Sequence, residues 1–141
     1  MNTKNTDNLQ SELTAAPDLL KFLKQNQENF VSEPFVDMIQ MLFQRSGLSK
    51  STLAKRACTS EVYLYQIFSG GRTPSRDRTL CLCFGMGATL DETQQLLKHS
   101  GLAQLYPKNR RDAIIIYGLT NQMPLEQIND QLFAANEATL C

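Results

Sequence analysis

Between residues 47 and 74, apolar side chains recur every three or four positions, which is the spacing of one face of an α-helix. Ser49 and Ser60 stand where each can cap a helix by accepting a hydrogen bond from an amide two or three residues further on. Gly70 and Gly71 would end the second helix, because the residue after a helix often adopts a positive φ. The pattern predicts two short helices, near residues 49–57 and 60–68, whose shared apolar face carries Leu48, Leu53, Ala54, Ala57, Leu64 and Ile67.

The polar positions of the same stretch point away from that shared apolar face. They are Lys50, Ser51, Ser60, Glu61, Gln66 and Arg72. Two short helices that are apolar inside and rich in hydrogen-bonding groups outside are the arrangement by which a helix-turn-helix binds DNA. The other predicted elements would support or regulate this unit.

The N-terminal part of the chain divides into an arm and two helices. Residues 1–16 are rich in Asn, Thr, Gln and Ser and offer few apolar side chains, which predicts a disordered N-terminal arm. Leu19, Leu20, Leu23 and Phe30 follow at roughly helical spacing and predict an N-terminal helix over residues 17–31. A further helix is predicted from about residue 34 to residue 45, and Gly47 would stop it.

The C-terminal half contains an internal repeat with a shift of 35 residues. Arg76-Asp77 aligns with Arg111-Asp112, and apolar positions further along each copy align as well. Each copy, at about residues 76–105 and 111–140, predicts a helix, a break and a second helix, and Asn109 can cap the second copy. We expect two stacked α-hairpins that bury each other's apolar faces, with the first also packed on the helix pair at residues 47–74.

The distribution of charge supports an anionic partner for the central segment. The whole chain has formal net charge zero, which argues against indiscriminate binding to polyanions. Residues 36–88, however, carry seven basic and three acidic side chains, a net charge of +4, whereas residues 1–35 and 89–141 each carry −2. Positive charge concentrated on the predicted helix pair is the electrostatic footprint expected of a DNA-binding surface.

Candidate catalytic, metal and membrane features are not found in the sequence. The four cysteines, Cys58, Cys81, Cys83 and Cys141, fit no zinc-binding spacing, and we expect them to be small hydrophobic side chains in a reducing cytosol. No motif for a catalytic site or a phosphate-binding loop occurs. No apolar run approaches the length of a signal-peptide core or a membrane span. We therefore expect a cytoplasmic protein with no enzymatic activity, no metal or cofactor and no membrane contact.

The central segment resembles the lambda-repressor-like, or XRE, family of helix-turn-helix proteins over about residues 36–88. The resemblance is carried by the apolar and polar positions of the two helices and by a closing loop of Gly, a basic residue and Pro-Ser. The matching residues are Leu53, Ala54, Ala57, Ser60, Tyr63, Leu64, Gln66, Ile67, Gly70, Arg72, Pro74 and Ser75. The resemblance implies an all-α fold, with a lambda-repressor-like five-helix DNA-binding domain over residues 32–105 and a C-terminal helical-hairpin extension over residues 106–141.

The same resemblance implies that residues 60–68 form a recognition helix in the major groove of DNA. The predicted DNA-binding residues are Lys50, Ser51, Ser60, Glu61, Val62, Tyr65, Gln66, Ser69 and Arg72. Of these, Glu61, Val62, Tyr65 and Gln66 match base-facing positions, whereas Lys50, Ser51, Ser69 and Arg72 match phosphate-contacting positions. Gln66 could pair with adenine and Val62 could pack on a thymine methyl. Glu61 is unusual there, since DNA phosphates repel a carboxylate unless it accepts a hydrogen bond from a cytosine amino group.

One pair of positions departs from the family pattern. Many members carry an Arg in the helix before the helix pair that forms an ion pair with a Glu near the end of the recognition helix. The matching positions here are Phe43 and Phe68. We therefore expect a contact between the two aromatic rings in place of the ion pair.

Two functions follow from these patterns. The first is a sequence-specific transcriptional regulator that binds double-stranded DNA as a homodimer, with the dimer contact from the N-terminal helix or the C-terminal hairpins. The alternative is a protein-interaction or antitoxin-like module that reuses the helix-turn-helix fold and holds a protein partner through the C-terminal hairpins. The alternative is motivated by Glu61 on the predicted DNA-facing side, by Tyr63 and Tyr65 in the same helix, and by the acidic C-terminal half.

Overall fold

The computed structural model describes Leu19 and residues 34–141, and in this part of the chain it contains only helices and no strand. The all-α class is therefore confirmed for the described residues. The predicted arm at residues 1–16 and the predicted helix at residues 17–31 lie outside them, apart from Leu19. Residues 34–141 form seven helices, which are α1 (Pro34–Ser46), α2 (Lys50–Arg56), α3 (Glu61–Phe68), α4 (Arg76–Met86), α5 (Leu90–His99), α6 (Arg110–Thr120) and α7 (Leu125–Ala134).

Local hydrogen bonds explain where α2 and α3 begin. The Ser49 hydroxyl accepts a hydrogen bond from the Thr52 amide at 3.1 Å, and the Ser60 hydroxyl accepts one from the Tyr63 amide at 3.1 Å. Each serine thus satisfies one of the amides that have no partner within the helix. The predicted caps are confirmed, and they fix the starts of the two central helices.

The apolar faces of α2 and α3 pack into one core with α1 and α4. Leu53, Leu64 and Ile67 are completely buried. Gly85 of α4 lies so close to α2 that a Cβ added to it would come 2.9 Å from Leu53 Cδ1. The rings of Phe43 and Phe68 have centroids 4.9 Å apart, which confirms the predicted aromatic contact between α1 and α3.

The 35-residue repeat forms two α-hairpins with the same internal hydrogen bonds. In the first, α4–α5, Gln94 accepts a hydrogen bond from the Leu105 amide at 2.7 Å; in the second, α6–α7, Asn129 does the same for the Leu140 amide at 2.7 Å. The turns match as well. Gly87 and Gln122 have φ of 68° and 52°, and Gly101 and Asn136 have φ of 69° and 59°. Since both hydrogen bonds and backbone angles recur at a shift of 35, the two hairpins are structural copies.

Reciprocal ion pairs join the two hairpins. Arg76 of the first contacts Asp112 of the second at 2.9 Å, and Arg111 of the second contacts Asp77 of the first at 3.0 Å. Helix α4 also packs on α7, and α5 packs on α6. Such an exchange of partners is what a local two-fold axis between the copies produces. Residues 34–141 belong to one compact unit, and the predicted boundary between residues 105 and 106 stays a prediction.

Arg45 and Glu92 form a second charged link, between α1 and the start of α5. The guanidinium makes two hydrogen bonds to the carboxylate, one of them 2.8 Å long, and Glu92 also completes a capping box with Thr89. Hydrogen bonding to Arg45 is the main cause that lowers the pKa of Glu92 to about 2, against the opposing effect of burial.

We expect this link to make stability depend on pH in the acidic range. A carboxyl group whose pKa is lower in the folded protein stabilises the fold above its unfolded pKa, and that contribution is lost as pH falls through the folded pKa. The melting temperature should therefore fall between about pH 5 and about pH 2. In Glu92→Gln this loss should be smaller, as measured by circular dichroism melts across that range. An unchanged pH profile in Glu92→Gln would contradict the assignment.

Candidate nucleic-acid interface

Helix α3 has a buried side and a solvent-facing side, as its sequence predicts. Leu64, Ile67 and Phe68 are buried against the core. On the opposite side lie the four residues predicted to face bases, and all four are exposed: Glu61, Val62, Tyr65 and Gln66. Val62 is 67% exposed and Tyr65 is 58% exposed, so this face presents apolar and hydrogen-bonding groups together.

Lys50 of α2 contacts the exposed face of α3. Its ammonium nitrogen lies 4.0 Å from the centre of the Tyr65 ring, within the range of a cation–π interaction, and the residue is half-buried. The ammonium group therefore lies directly beside the exposed face of α3. A residue matched to a phosphate-contacting position thus lies next to one matched to a base-facing position.

Arg72, in the loop after α3, makes a similar link at the C-terminal end of the helix. Its guanidinium donates a hydrogen bond to Gln66 Oε1 at 3.3 Å and lies 5.0 Å from the centre of the Tyr63 ring. Tyr63 is half-buried, whereas Leu64, on the predicted apolar face, is completely buried. Two predicted phosphate-contacting cations therefore border the exposed face of α3.

Sequence reasoning missed a third cation, Arg78 in the first turn of α4. Its guanidinium lies 4.8 Å from the Tyr63 ring centre and donates a hydrogen bond to the Thr59 hydroxyl at 3.4 Å. Tyr63 is thus in contact with two guanidinium groups. The sequence does indicate that Arg78 lies in the first turn of α4, because it follows the capping residue Ser75 by three positions. Its contact with Tyr63 could not be predicted, because it depends on how α4 crosses α3.

The three serines of the predicted site are exposed. Ser60 is occupied as the cap of α3, and the Ser69 hydroxyl donates to the Gln66 carbonyl at 3.1 Å, while Ser51 lies on the first turn of α2. Hydroxyl groups that already make one local hydrogen bond keep further acceptor capacity. The structure therefore brings the predicted residues together on one surface formed by α2, α3 and the following loop.

Glu61 has a local reason to be at the start of α3. It lies in the first turn, where the partial positive charge of the helix N-terminus stabilises a carboxylate. It is also exposed on the same side as Val62 and Tyr65. The side chain therefore contributes negative charge to a surface that is otherwise bordered by Lys50 and Arg72.

The four cysteines differ in exposure. Cys81 and Cys83 are buried, whereas Cys141 and Cys58, which lies in the short turn between α2 and α3, are exposed. Within residues 34–141, no group of three or more His, Cys, Asp or Glu side chains has the arrangement needed to hold a metal ion.

None of the helices in the described part of the chain is both long and apolar enough to cross a membrane. No family model, curated protein or solved structure matches this chain. The function must therefore be inferred from the surface formed by α2, α3 and their loops.

Proposed function

We propose that this chain is a sequence-specific DNA-binding transcriptional regulator of lambda-repressor-like architecture. In this proposal α1 to α5 are the five-helix DNA-binding domain, α6 and α7 are its extension, and α3 lies in the major groove. The protein would act in the cytoplasm, without enzymatic activity or a cofactor. The observation that carries the proposal is the exposed face of α3, with Lys50 held against Tyr65 and Arg72 bound to Gln66.

This arrangement would allow base contacts and phosphate contacts at the same time. Phosphate contacts by Lys50 and Arg72 would fix the position of the protein on the duplex, and α3 would discriminate among sequences. Arg72 orients the Gln66 amide while leaving Oε1 a second lone pair, so the amide can still pair with an adenine edge. Val62 would pack on a thymine methyl, and Glu61 would accept from a cytosine amino group and disfavour other bases.

The decisive experiment is the selection of bound sequences from a random duplex pool with the full chain. A palindromic consensus would support both DNA binding and a two-fold dimer on the duplex. A single half-site consensus would support DNA binding by one copy. Recovery of no preferred sequence at moderate salt would overturn the proposal.

Substitution of the two cations should test the phosphate contacts. In Lys50→Ala or Arg72→Ala, we expect affinity to fall for every duplex. Each variant should also decrease the slope of log affinity against log salt by about 1, because it makes one phosphate contact fewer than the wild-type protein. Fluorescence anisotropy over about 50 to about 200 mM salt measures this slope.

The matched control for these variants is Lys108→Ala, which removes the same charge from the exposed loop between the hairpins. It should change neither the slope nor the affinity. Equal losses of affinity in Lys108→Ala and Lys50→Ala would indicate an effect of total charge and would contradict specific phosphate contacts. Melting curves of each variant separate loss of binding from loss of folding.

Homodimerisation is part of the proposal, because two half-sites multiply the limited discrimination of one recognition helix. The supporting observation is a difference between the hairpins. Gly85 lies against Leu53 of α2, and Leu82, one turn earlier on the same face of α4, is only 1% exposed. Tyr117 replaces Leu82 in the second copy and is 58% exposed. This face of the first hairpin is covered by α2. The equivalent face of α6, which carries Tyr117, would therefore pack on the α6 face of a second molecule.

Tyr117→Glu should therefore shift the protein from dimer to monomer in analytical ultracentrifugation. The added carboxylate would be desolvated in the contact without a partner, which is costly. Tyr106→Glu is the control, because Tyr106 is similarly exposed, at 57%, but lies in the loop between the hairpins. A wild-type protein that sediments as a monomer at all concentrations would contradict this dimer contact while leaving DNA binding testable.

A second candidate function is a protein-interaction or antitoxin-like module. It is favoured by the exposed apolar side chains Val62 and Tyr65 beside the carboxylate of Glu61, a mixture that suits a protein surface as well as a groove of DNA. Co-purification from the native host with nuclease treatment distinguishes the two. A stoichiometric protein that remains bound after nuclease treatment would favour this function, whereas recovery of one DNA segment would favour the first.

A further inference from the structure

Three of the four cysteines converge on one small pocket beside the turn that joins α2 and α3. Cys58, Cys81 and Cys141 come from three separate parts of the chain and line a cavity of about 130 Å³ together with Tyr63 and Arg78. Neither the repeat nor the proposed DNA contacts require sulfur at these positions. The convergence is therefore a feature that the proposed function leaves unexplained.

Cys58 has an unusual backbone conformation. Its φ is 60°, in the left-handed region that glycine and asparagine adopt most readily, and its side chain is exposed. A non-glycine residue held in this region costs folding free energy, and such residues are concentrated at functional sites. Cys58 lies in the turn between α2 and α3. A covalent bond formed by its sulfur would therefore act directly on these two helices.

Cys141 is held in place opposite Cys58. The Asn129 side chain of α7 donates a hydrogen bond to Cys141 Sγ at 3.2 Å and accepts one from the Leu140 amide at 2.7 Å. Cys58 and Cys141 both line the small three-cysteine pocket. Both also line a wider groove of about 960 Å³ that opens to solvent, so a small oxidant can reach them.

The third thiol of the cluster is less accessible. Cys81 is only 4% exposed, and its Sγ–H is directed at the Leu140 carbonyl at 3.6 Å. Burial is the main cause that raises the pKa of Cys81 to about 12, so its reactive thiolate is scarce at neutral pH. The neighbouring Cys141 thiol and partial burial raise the pKa of Cys58 as well. Exposure to solvent is therefore what makes Cys58 and Cys141 the pair that an oxidant reaches first.

We propose that Cys58 and Cys141 form an intramolecular disulfide when the protein meets a peroxide. The Cys58 thiolate attacks one peroxide oxygen and breaks the O–O bond, which gives a sulfenic acid and, after proton transfer, one water. The Cys141 thiolate then attacks the Cys58 sulfur and displaces the hydroxide, which leaves as a second water. Two thiols and one hydrogen peroxide give one disulfide and two waters, with two electrons passing from sulfur to the peroxide.

The disulfide would tie the turn of the helix-turn-helix to the end of the second hairpin. It would close a loop of roughly 80 residues, and such a crosslink stabilises a fold mainly by restricting the unfolded chain. This inference goes beyond the proposed DNA-binding function and does not depend on it. It assigns the three-cysteine pocket a role as a site of reversible oxidation.

Peptide mapping of the full chain tests the proposal. The protein is treated with a small molar excess of hydrogen peroxide, remaining thiols are alkylated, and a non-reducing digest is analysed by mass spectrometry. We expect a Cys58–Cys141 linked peptide in monomeric protein, and a melting temperature raised by on the order of 10 °C, reversed by a dithiol reductant. Cys58→Ser and Cys141→Ser should each lose the linked peptide and the shift.

Cys83→Ser is the matched control, because Cys83 is buried and lies outside the three-cysteine pocket. It should keep the Cys58–Cys141 peptide. Recovery of only intermolecular disulfides, of Cys58–Cys81 as the sole bridge, or of alkylated Cys58 and Cys141 after peroxide treatment would overturn the proposal. The wild-type map decides the question even if a serine variant fails to fold.

Discussion

Asp112→Ala should lower the free energy of unfolding by about 3 kcal/mol, as measured by urea denaturation at neutral pH. Asp112 has a side chain that is only 8% exposed, and it receives two hydrogen bonds from Arg76, at 3.1 and 2.9 Å. It also accepts one from the Tyr106 amide at 3.0 Å. Alanine would leave a largely buried guanidinium without its counter-ion and a backbone amide without its acceptor, which are both costly.

The pKa of Asp112 reflects the same environment. Burial on its own would raise this pKa, but hydrogen bonds from Arg76 and the Tyr106 amide, together with the charges of Arg76 and Arg111, lower it below its ordinary value. The folded state is therefore built around the ionised carboxylate. Its contribution to stability is complete above the unfolded pKa of Asp and is lost as pH falls through the lower folded pKa.

The local two-fold relation supplies a matched control, Asp77→Ala. Asp77 makes the equivalent contacts with Arg111, at 3.0 and 3.2 Å, but its side chain is 43% exposed. Each arginine would keep its hydrogen bond to a backbone carbonyl after the substitution, so the two variants differ mainly in the exposure of the aspartate. An ion pair that solvent reaches is worth at most about 1 kcal/mol. The same substitution at equivalent positions should thus have unequal effects. Equal losses of stability in the two variants would show that burial is not what makes the Asp112 pair important.

The sequence predicted the helical elements well because their signals are local. Ser49, Ser60 and Asn109 were identified as caps, and each accepts the expected backbone hydrogen bond. The repeat was visible as Arg76-Asp77 and Arg111-Asp112. The sequence did not show that each arginine pairs with the aspartate of the other copy. That pairing depends on how the two hairpins are oriented, which the local sequence does not determine.

The exposure of the candidate surface could be predicted, but its internal contacts could not. The family resemblance placed Glu61, Val62, Tyr65 and Gln66 on the outer face of α3, and all four are exposed. The contacts of Arg78 with Tyr63, and the meeting of Cys58 with Cys141, depend on how distant segments pack. Such contacts join residues about 15 and about 80 positions apart, and no periodicity in a single sequence reports them.

The duplication of a hairpin has left its two copies in different environments. The first is covered on one face by α2 and buries Leu82, whereas the second exposes Tyr117 at the equivalent position. An added Cβ at Gly118 of the second copy would come 2.4 Å from Ile128, whereas the equivalent residue of the first copy is the buried Cys83. The first copy thus packs against α2, and the second presents an exposed face.

Phe68→Ala should destabilise the protein by about 3–5 kcal/mol, the usual cost of removing a large buried aromatic side chain. Phe68 closes the buried side of α3 and is only 8% exposed. Its ring lies against Phe43, which occupies the place where the family resemblance predicts an ion pair. The substitution would also loosen α3 from α1, so any DNA affinity should fall more than the fraction of unfolded protein explains.

Phe133→Ala is the control for the substitution itself, because Phe133 is 76% exposed and its removal should cost less than about 0.5 kcal/mol. A double-mutant cycle with Phe43→Ala then isolates the ring contact from the general loss of packing. We expect a coupling free energy of about 0.5–1.5 kcal/mol between Phe43 and Phe68. A coupling near zero would mean that the two rings are merely adjacent, and that their contact adds nothing beyond the burial of each ring.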